Sequence, residues 1–411
     1  MKYNILNIIN MKIRGAGSIK KMVAHVLLLV FAFVVVALLL VTVCVLISNS
    51  RRYTPAFLDT NNETITQSIA SFEDIKLGNY PQAVLLRAKN INNPILLYLH
   101  GGPGATELPL VRHFNSALEN HFIVALWEQR GAGKSYSPFI DSNTMNVEQI
   151  ISDAHELILH LTKRFHKNKI FLVGHSWGSI LGIELVRRHP QLFHAYVGIG
   201  QEIYLPESER LSMEYVRNMA QAANHQQALS ELLAIGTYPN FTEGWMSNVF
   251  TQRRWLGYFG GVMYGKEGME SLFFVERPPE FTVFDFVPLA LGAYFSLKYI
   301  WPQLFKLGDY RVVANQLEVP IYLFEGRYDY NAPSILVQKY FDVLIAPKKE
   351  LFWFEFSAHM PNFEEADKFN RIMINKVLPE ALSLSSNCLM YLKSLNYKIL
   401  SQQNEDKCDN I

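Results

Sequence analysis

Apolar residues are distributed along this chain in three distinct ways. Residues 26–47 are almost wholly apolar, and the run is long enough to cross a hydrocarbon core, which needs about 20 helical residues. Further on, apolar residues gather into short blocks at 94–99, 122–127, 170–173, 320–324 and 351–354. Blocks of that length bounded by glycine-rich or polar turns read as buried strands. Residues 180–185 read as helix, and residues 201–316 lack strand alternation and read as a set of helices, 207–223 among them. Strands and helices therefore interleave, which predicts an α/β class with a helical insertion.

The turns that end these blocks carry the chemistry. Between the block at 170–173 and the following helix stands Gly174-His175-Ser176-Trp177-Gly178, which reads as a nucleophile elbow. A serine hydroxyl is a weak nucleophile, so the chain must hold it on a sharp strand-to-helix turn within reach of a base. Glycines on both flanks let the backbone crowd there, and Trp177 would offer its N–H to a developing oxyanion at the helix start. The block at 94–99 runs into His100-Gly101-Gly102-Pro103-Gly104. Pro103 has no N–H, and Gly102 is the expected second oxyanion donor.

An acid and a base should follow in chain order, each just past a buried strand. Asp329 follows the block at 320–324, and His359 follows the block at 351–354. His359 would be the general base, with Asp329 fixing its tautomer and stabilising the imidazolium. Glu325, in the same loop as Asp329, is the rival acid.

Five motifs in order, HGGPG at 100–104, WEQRGAGKS at 127–135, GHSWGS at 174–179, GRYD at 326–329 and SAH at 357–359, resemble the proline iminopeptidase group of α/β hydrolases. The resemblance covers roughly residues 72–382. It implies an α/β-hydrolase fold with a mostly parallel central sheet and a helical cap inserted after the sixth strand. By that pattern Ser176, Asp329 and His359 form a triad, and Gly102 and Trp177 an oxyanion hole. The chain departs from the group twice, carrying Glu128 where the motif has an aspartate and His175 where a glycine often stands. Aminopeptidases of this kind hold the substrate ammonium with cap carboxylates, for which Glu202 and Glu207 are the nearest candidates here. Arg130 has two readings, substrate contact or a clamp satisfying loop carbonyls.

The expected organisation is a cytoplasmic segment at 1–25, a transmembrane signal anchor at 26–48, a polar stalk at 49–70, the hydrolase core at 71–200 and 317–382, the cap at 201–316 and a tail at 383–411. A cleaved signal peptide would have a shorter apolar region of about 7 to 15 residues and a small-residue cleavage site. Lys2, Lys12, Arg14, Lys20 and Lys21 precede the span and only Arg51 and Arg52 closely follow it, which places the amino terminus in the cytoplasm and the catalytic domain outside. The apolar stretch at 286–295 is too short for a second span. In the tail, Leu389, Leu392, Leu395 and Ile399 recur at roughly helical spacing, leaving packing, membrane contact and disorder open.

Composition narrows the partners. With 38 basic against 37 acidic side chains there is no electrostatic footprint for nucleic acid. The glycines do not fit a dinucleotide fingerprint; Cys44 lies in the span and the core at 72–382 has no cysteine, so no metal cluster or disulfide framework supports it, while Cys388 and Cys408 in the tail could pair outside the cell. No cofactor or metal is expected, and the oligomeric state stays open. The substrate would be a small molecule or short peptide. Three functions remain: a serine hydrolase cutting an ester or amide through an acyl-enzyme, with an aminopeptidase-type cap; an esterase or lipase acting on lipid-like esters; and a non-catalytic binding module of hydrolase fold.

Overall fold

The computed structural model describes residues 2–265 and 277–385, with side chains from Met22 onward. The expected tail helix, together with Cys388 and Cys408, falls outside these residues. Eight strands form one sheet in the order 1-2-4-3-5-6-7-8: β1 (Ile69–Leu77), β2 (Tyr80–Ala88), β3 (Ile95–Leu99), β4 (Ile123–Trp127), β5 (Ile170–His175), β6 (Phe193–Ile199), β7 (Ile321–Gly326) and β8 (Lys349–Phe354). β1 and β2 pair antiparallel, as do β2 and β4, and every pairing from β4 to β8 is parallel. The first two strands are joined by Gly78-Asn79, both at positive φ, as a two-residue hairpin turn requires.

Helices cover both faces of the central parallel strands, and this is why β3, β4 and β5 are apolar along almost all of their length. Leu97, Leu99 and Leu172 point to one side, where they pack with Ile150 and Leu157 of the helix Val147–Arg164 and with Ile180 and Leu181 of the helix Trp177–Arg188. Leu96, Tyr98, Phe171 and Val173 point to the other, against Phe363, Phe369 and Met373. In chain order the helices used below are α1 (Lys2–Ser50), α2 (Leu108–Phe114), α3 (Val147–Arg164), α4 (Trp177–Arg188), α5 (Leu205–Ala222), α6 (Gln226–Ile235), α7 (Trp245–Tyr258) and α8 (Phe286–Leu304).

The chain leaves the sheet after β6 and returns at β7, and α5 to α8 lie in between. Val216, Ala220, Leu232, Trp255 and Leu256 join the core on one side of the sheet, and Ile300, Trp301 and Leu304 join it on the other. The cap is thus fused to the core rather than perched on it.

The segment after α1 does not stand free as a stalk. Arg87 of β2 donates to the carbonyl of Pro55 at 2.7 Å and stacks over the Phe57 ring at 4.4 Å. Thr54 donates to Glu280 of the cap insertion at 2.5 Å. A buried arginine needs several acceptors, and this strap supplies them. Arg130 is the clamp and not a substrate contact: its guanidinium binds both oxygens of Asp153 at 2.7 and 3.1 Å and the carbonyl of Leu77 at 3.0 Å, and it does not line the cavity described below.

Candidate active site

α4 presses onto β3 so closely that a Cβ at Gly178 would lie 2.0 Å from the carbonyl oxygen of Leu99. The turn that feeds this helix has no slack, and Ser176 takes φ +53° and ψ −119°. That region is costly for a residue with a Cβ, by about 1 to 3 kcal/mol. The packing of β5 against β6 and of α4 against β3 maintains it, and the Ser176 N–H donates to the carbonyl of Ile199 at 3.0 Å.

Ser176 lines a cavity of about 480 Å³ together with Gly102, Trp177, Glu202, Asn331 and His359. The rest of the wall is largely apolar, including Leu205, Val249, Phe250, Val262, Leu297 and Trp301. The Gly101 N–H is taken by Glu107 at 3.0 Å, whereas among the described residues no hydrogen bond to the Gly102 N–H occurs. Trp177 opens α4, where helix geometry leaves the N–H without an intrahelical partner. Both expected donors therefore border the serine. Gln129 fixes the two turns to each other, donating from its side-chain nitrogen to the His100 carbonyl at 3.0 Å and accepting from the Trp177 indole at 2.8 Å.

His359 donates from Nδ1 to Asp329 Oδ2 at 2.7 Å. Asp329 Oδ1 accepts the N–H groups of Asn331 and Ala332 at 2.8 and 2.9 Å, so all of its bonding directions are fixed. On its other nitrogen His359 accepts from the Asn331 side chain at 2.9 Å. The proton is thereby on Nδ1, and the lone pair that would take a proton is on Nε2. Glu325, the rival acid, is fully buried. Burial, then the charge of the neighbouring Asp329 and a hydrogen bond to it, push its pKa far up, and it makes no hydrogen bond to His359.

Of the two expected cap carboxylates, the structure brings only one to the cavity. Glu202 lines it, with Oε1 accepting from Ser208 at 2.5 Å and from the Ile203 N–H at 3.1 Å. Burial, countered by the Ser208 bond and reinforced by the charges of Glu209 and Asp329, raises its pKa to about 8. Glu207 pairs with Arg311 and does not line the cavity. Arg253, which no sequence motif singles out, does line it and is paired with the buried Glu209.

Beneath the serine lies a buried ion pair that carries no motif. His175 donates from Nδ1 to Glu107 Oε1 at 2.6 Å, and its Nε2 lies 2.9 Å from the carbonyl oxygen of His359. Tyr98 donates to Glu107 Oε2 at 2.8 Å. Burial opposes charge on both partners, but Glu107 and the His359 carbonyl outweigh it at His175, whose pKa is raised. The His175 charge likewise outweighs burial at Glu107, whose pKa is lowered. His175 thus ties the loop of His359 to the turn after β3 through a single imidazole.

The fold and the arrangement of these turns are those of an α/β hydrolase. The family model for serine aminopeptidases, S33, matches residues 93–366, more than half of the chain. A probable aminopeptidase of Bacillus subtilis (strain 168), YbaC, is 31% identical over 303 residues, covering 74% of this chain and 95% of that protein. A proline iminopeptidase of Clostridium botulinum is 24% identical over 284 residues, covering 69% and 89%. In fold the chain is similar to the crystal structure of a proline iminopeptidase from Mycobacterium smegmatis, with a TM-score of 0.53 and 18% identity over 76% of this chain and 100% of that one. The chain belongs to the serine aminopeptidase S33 family of α/β hydrolases, and it is a hydrolase of the aminopeptidase type.

The buried pair has a consequence for stability. A raised imidazole pKa stabilises the fold below the ordinary value of 6.5 and ceases to do so as pH rises through the raised value. A lowered carboxylate pKa stabilises above the ordinary 4.5 and fails as pH falls through the lowered value. The pair therefore contributes most in weakly acidic solution. His175→Gln is expected to cost about 3 to 5 kcal/mol near pH 6 and less near pH 9. Melting the detergent-solubilised full chain and the variant across that range checks this, and a gap that does not narrow with rising pH contradicts it.

Proposed function

We propose that the cavity performs acyl transfer to Ser176. Its hydroxyl attacks the carbonyl carbon of a bound ester or amide while His359 Nε2 takes the proton, and the carbonyl oxygen becomes an anion between the N–H groups of Gly102 and Trp177. The imidazolium, held by Asp329, then protonates the leaving alcohol or amine as the bond to it breaks, leaving an acyl-enzyme. Water, deprotonated by His359 in turn, releases the acid and restores the serine. The reading is carried by one observation: a histidine fixed by Asp329 and a serine held at positive φ face the same cavity. In the described conformation Asn331 occupies the lone pair of His359, so it must yield when Ser176 transfers its proton.

Ser176→Ala and His359→Ala are each expected to lower turnover by about four to six orders of magnitude, with the double variant little worse, because nucleophile and base act as a unit. Asp329→Asn is expected to be severe and Glu325→Gln mild. Purified Ser176→Ala with an unchanged rate would overturn the mechanism, and a reversed order of the two acids would overturn the choice of Asp329.

For the substrate, the family and Glu202 support an aminoacyl amide or short peptide with a free amino terminus. Ionised Glu202 would pair with the ammonium inside the cavity, and Glu207 has no part in this. Since Glu202 titrates at about 8, kcat/KM for an aminoacyl amide is expected to climb as pH approaches that value and to fall once the substrate ammonium, with a pKa of about 8, loses its proton. Glu202→Gln is expected to reduce aminoacyl amide cleavage about 10²-fold and to spare a simple acetate ester. Equal loss on both substrates, or no loss on either, removes this role. A lipid-like ester is the second reading, favoured by the largely apolar wall. The apolar stretch of α1, Met22–Ser50, supports a membrane anchor, and the excess of lysine and arginine before it supports a cytoplasmic amino terminus.

A further inference from the structure

The end of the apolar helix is clamped to the wall of the cavity. Val45 and Ser48 of α1 are buried against the catalytic domain. Ser48 donates to Asp285, the residue just before α8. Lys134 donates to the same carboxylate at 2.5 Å and to the carbonyl of Ser48 at 3.1 Å, and Asn49 donates to the carbonyl of Tyr136 at 2.9 Å. These groups are enclosed, so the junction is rigid where a polar stalk would have been loose.

That clamp fixes depth. Residues 26–47, at 1.5 Å per residue, span about 33 Å, close to the hydrocarbon thickness of about 30 Å. If α1 spans a bilayer, Ser48 lies at the headgroups, and so do Asp285 and Lys134. α8 starts at this level and forms one side of the cavity. Ala290 and Tyr294 are both exposed and cavity-lining, and so mark its mouth. They are five and nine residues beyond Asp285, which places them at most about 8 and 14 Å along the helix from the headgroup level. Two large apolar side chains stand in water beside the same junction: Phe139, 86% exposed and three residues from the Asn49 contact, and Val283, 61% exposed and two residues from Asp285. Neither lines the cavity.

We propose that Phe139 and Val283 dip into the bilayer surface around the emerging span, and that the cavity takes its substrate from that surface. The substrate class is an amphiphile whose ester or amide bond sits near the headgroups and whose apolar portion enters the cavity past Ala290 and Tyr294. The bilayer is the occupant because the two exposed apolar residues lie within three residues, along the chain, of Tyr136 and Asp285, which hold the end of a helix of bilayer length, and a soluble partner would have to share that position with lipid headgroups. This inference rests on α1 being a membrane anchor, and deepens the hydrolase reading by naming where its substrate resides.

The test uses the full chain in phosphatidylcholine vesicles, and compares it with the double variant Phe139→Glu/Val283→Glu. One substrate is water-soluble p-nitrophenyl acetate, and the other is p-nitrophenyl myristate dissolved in the vesicles. The variant is expected to cleave the acetate at the parental rate and the myristate at least tenfold more slowly; parental rates on both substrates overturn the access route. A misfolded variant would lose the acetate activity, so a second measurement stands apart from turnover. A fluorophore on Phe139→Cys, with Cys44, Cys388 and Cys408 replaced by serine, is expected to be quenched by lipids brominated high on their chains, and absence of quenching in vesicle-bound protein overturns the proposal. Flotation with the vesicles, and protease reaching the catalytic domain from outside intact cells, report separately on the anchor. A chain that fails to float refutes the anchor and the access route with it, whereas a floating chain without quenching refutes the access route alone.

Discussion

Everything at this site depends on how closely α4 approaches β3. The helix can sit there only because position 178 has no side chain to meet the carbonyl of Leu99, and that approach leaves the preceding residue no relaxed conformation. Ser176 is held at positive φ as a result, lining the cavity next to Trp177, the first residue of α4. The same approach brings the glycine turn after β3 against the elbow, a Cβ at Gly101 falling 3.2 Å from that of Ser176. One packing contact thus sets the serine and both candidate oxyanion donors. The backbone strain, about 1 to 3 kcal/mol, is small beside the burial of two fully covered sheet faces.

Charge does the remaining positioning. Asp329 and Glu325 are four residues apart and chemically alike, yet Asp329 receives two backbone N–H groups and the imidazole, while burial and the Asp329 charge push the Glu325 pKa far up. The same contrast separates Glu202, enclosed at the cavity and raised to about 8, from Glu207, which an arginine takes out of play. His175 adds a link that no deletion of a triad member would reveal, because it joins the backbone of the base to the oxyanion turn through Glu107.

Five of the six parallel strands were legible as short apolar runs, whereas β6 was placed only through the family resemblance; the turns after the runs carry the chemistry in a fixed order. Ser176, Asp329 and His359 were found that way. The hairpin of β1 and β2 was missed: Glu73, Asp74 and Lys76 interrupt any apolar run in β1, and only Gly78-Asn79 marked the turn. Glu107, Asn331 and Arg253 have no signature, since each reaches the site by tertiary packing from a different part of the chain. Glu202 and Glu207 could not be told apart in sequence because the decisive partner of Glu207, Arg311, is supplied from beyond α8. The stalk was misjudged for a similar reason, as polar residues there find acceptors and donors on Arg87 and Glu280.

The central claim is that this cavity makes Ser176 a nucleophile through His359. A fluorophosphonate, which reacts only with an activated serine, followed by mass mapping of the peptides, addresses it most directly. The account expects one adduct, on Ser176, abolished in His359→Ala protein that retains its parental melting temperature. An adduct on a different serine, or none on a folded chain, would contradict it.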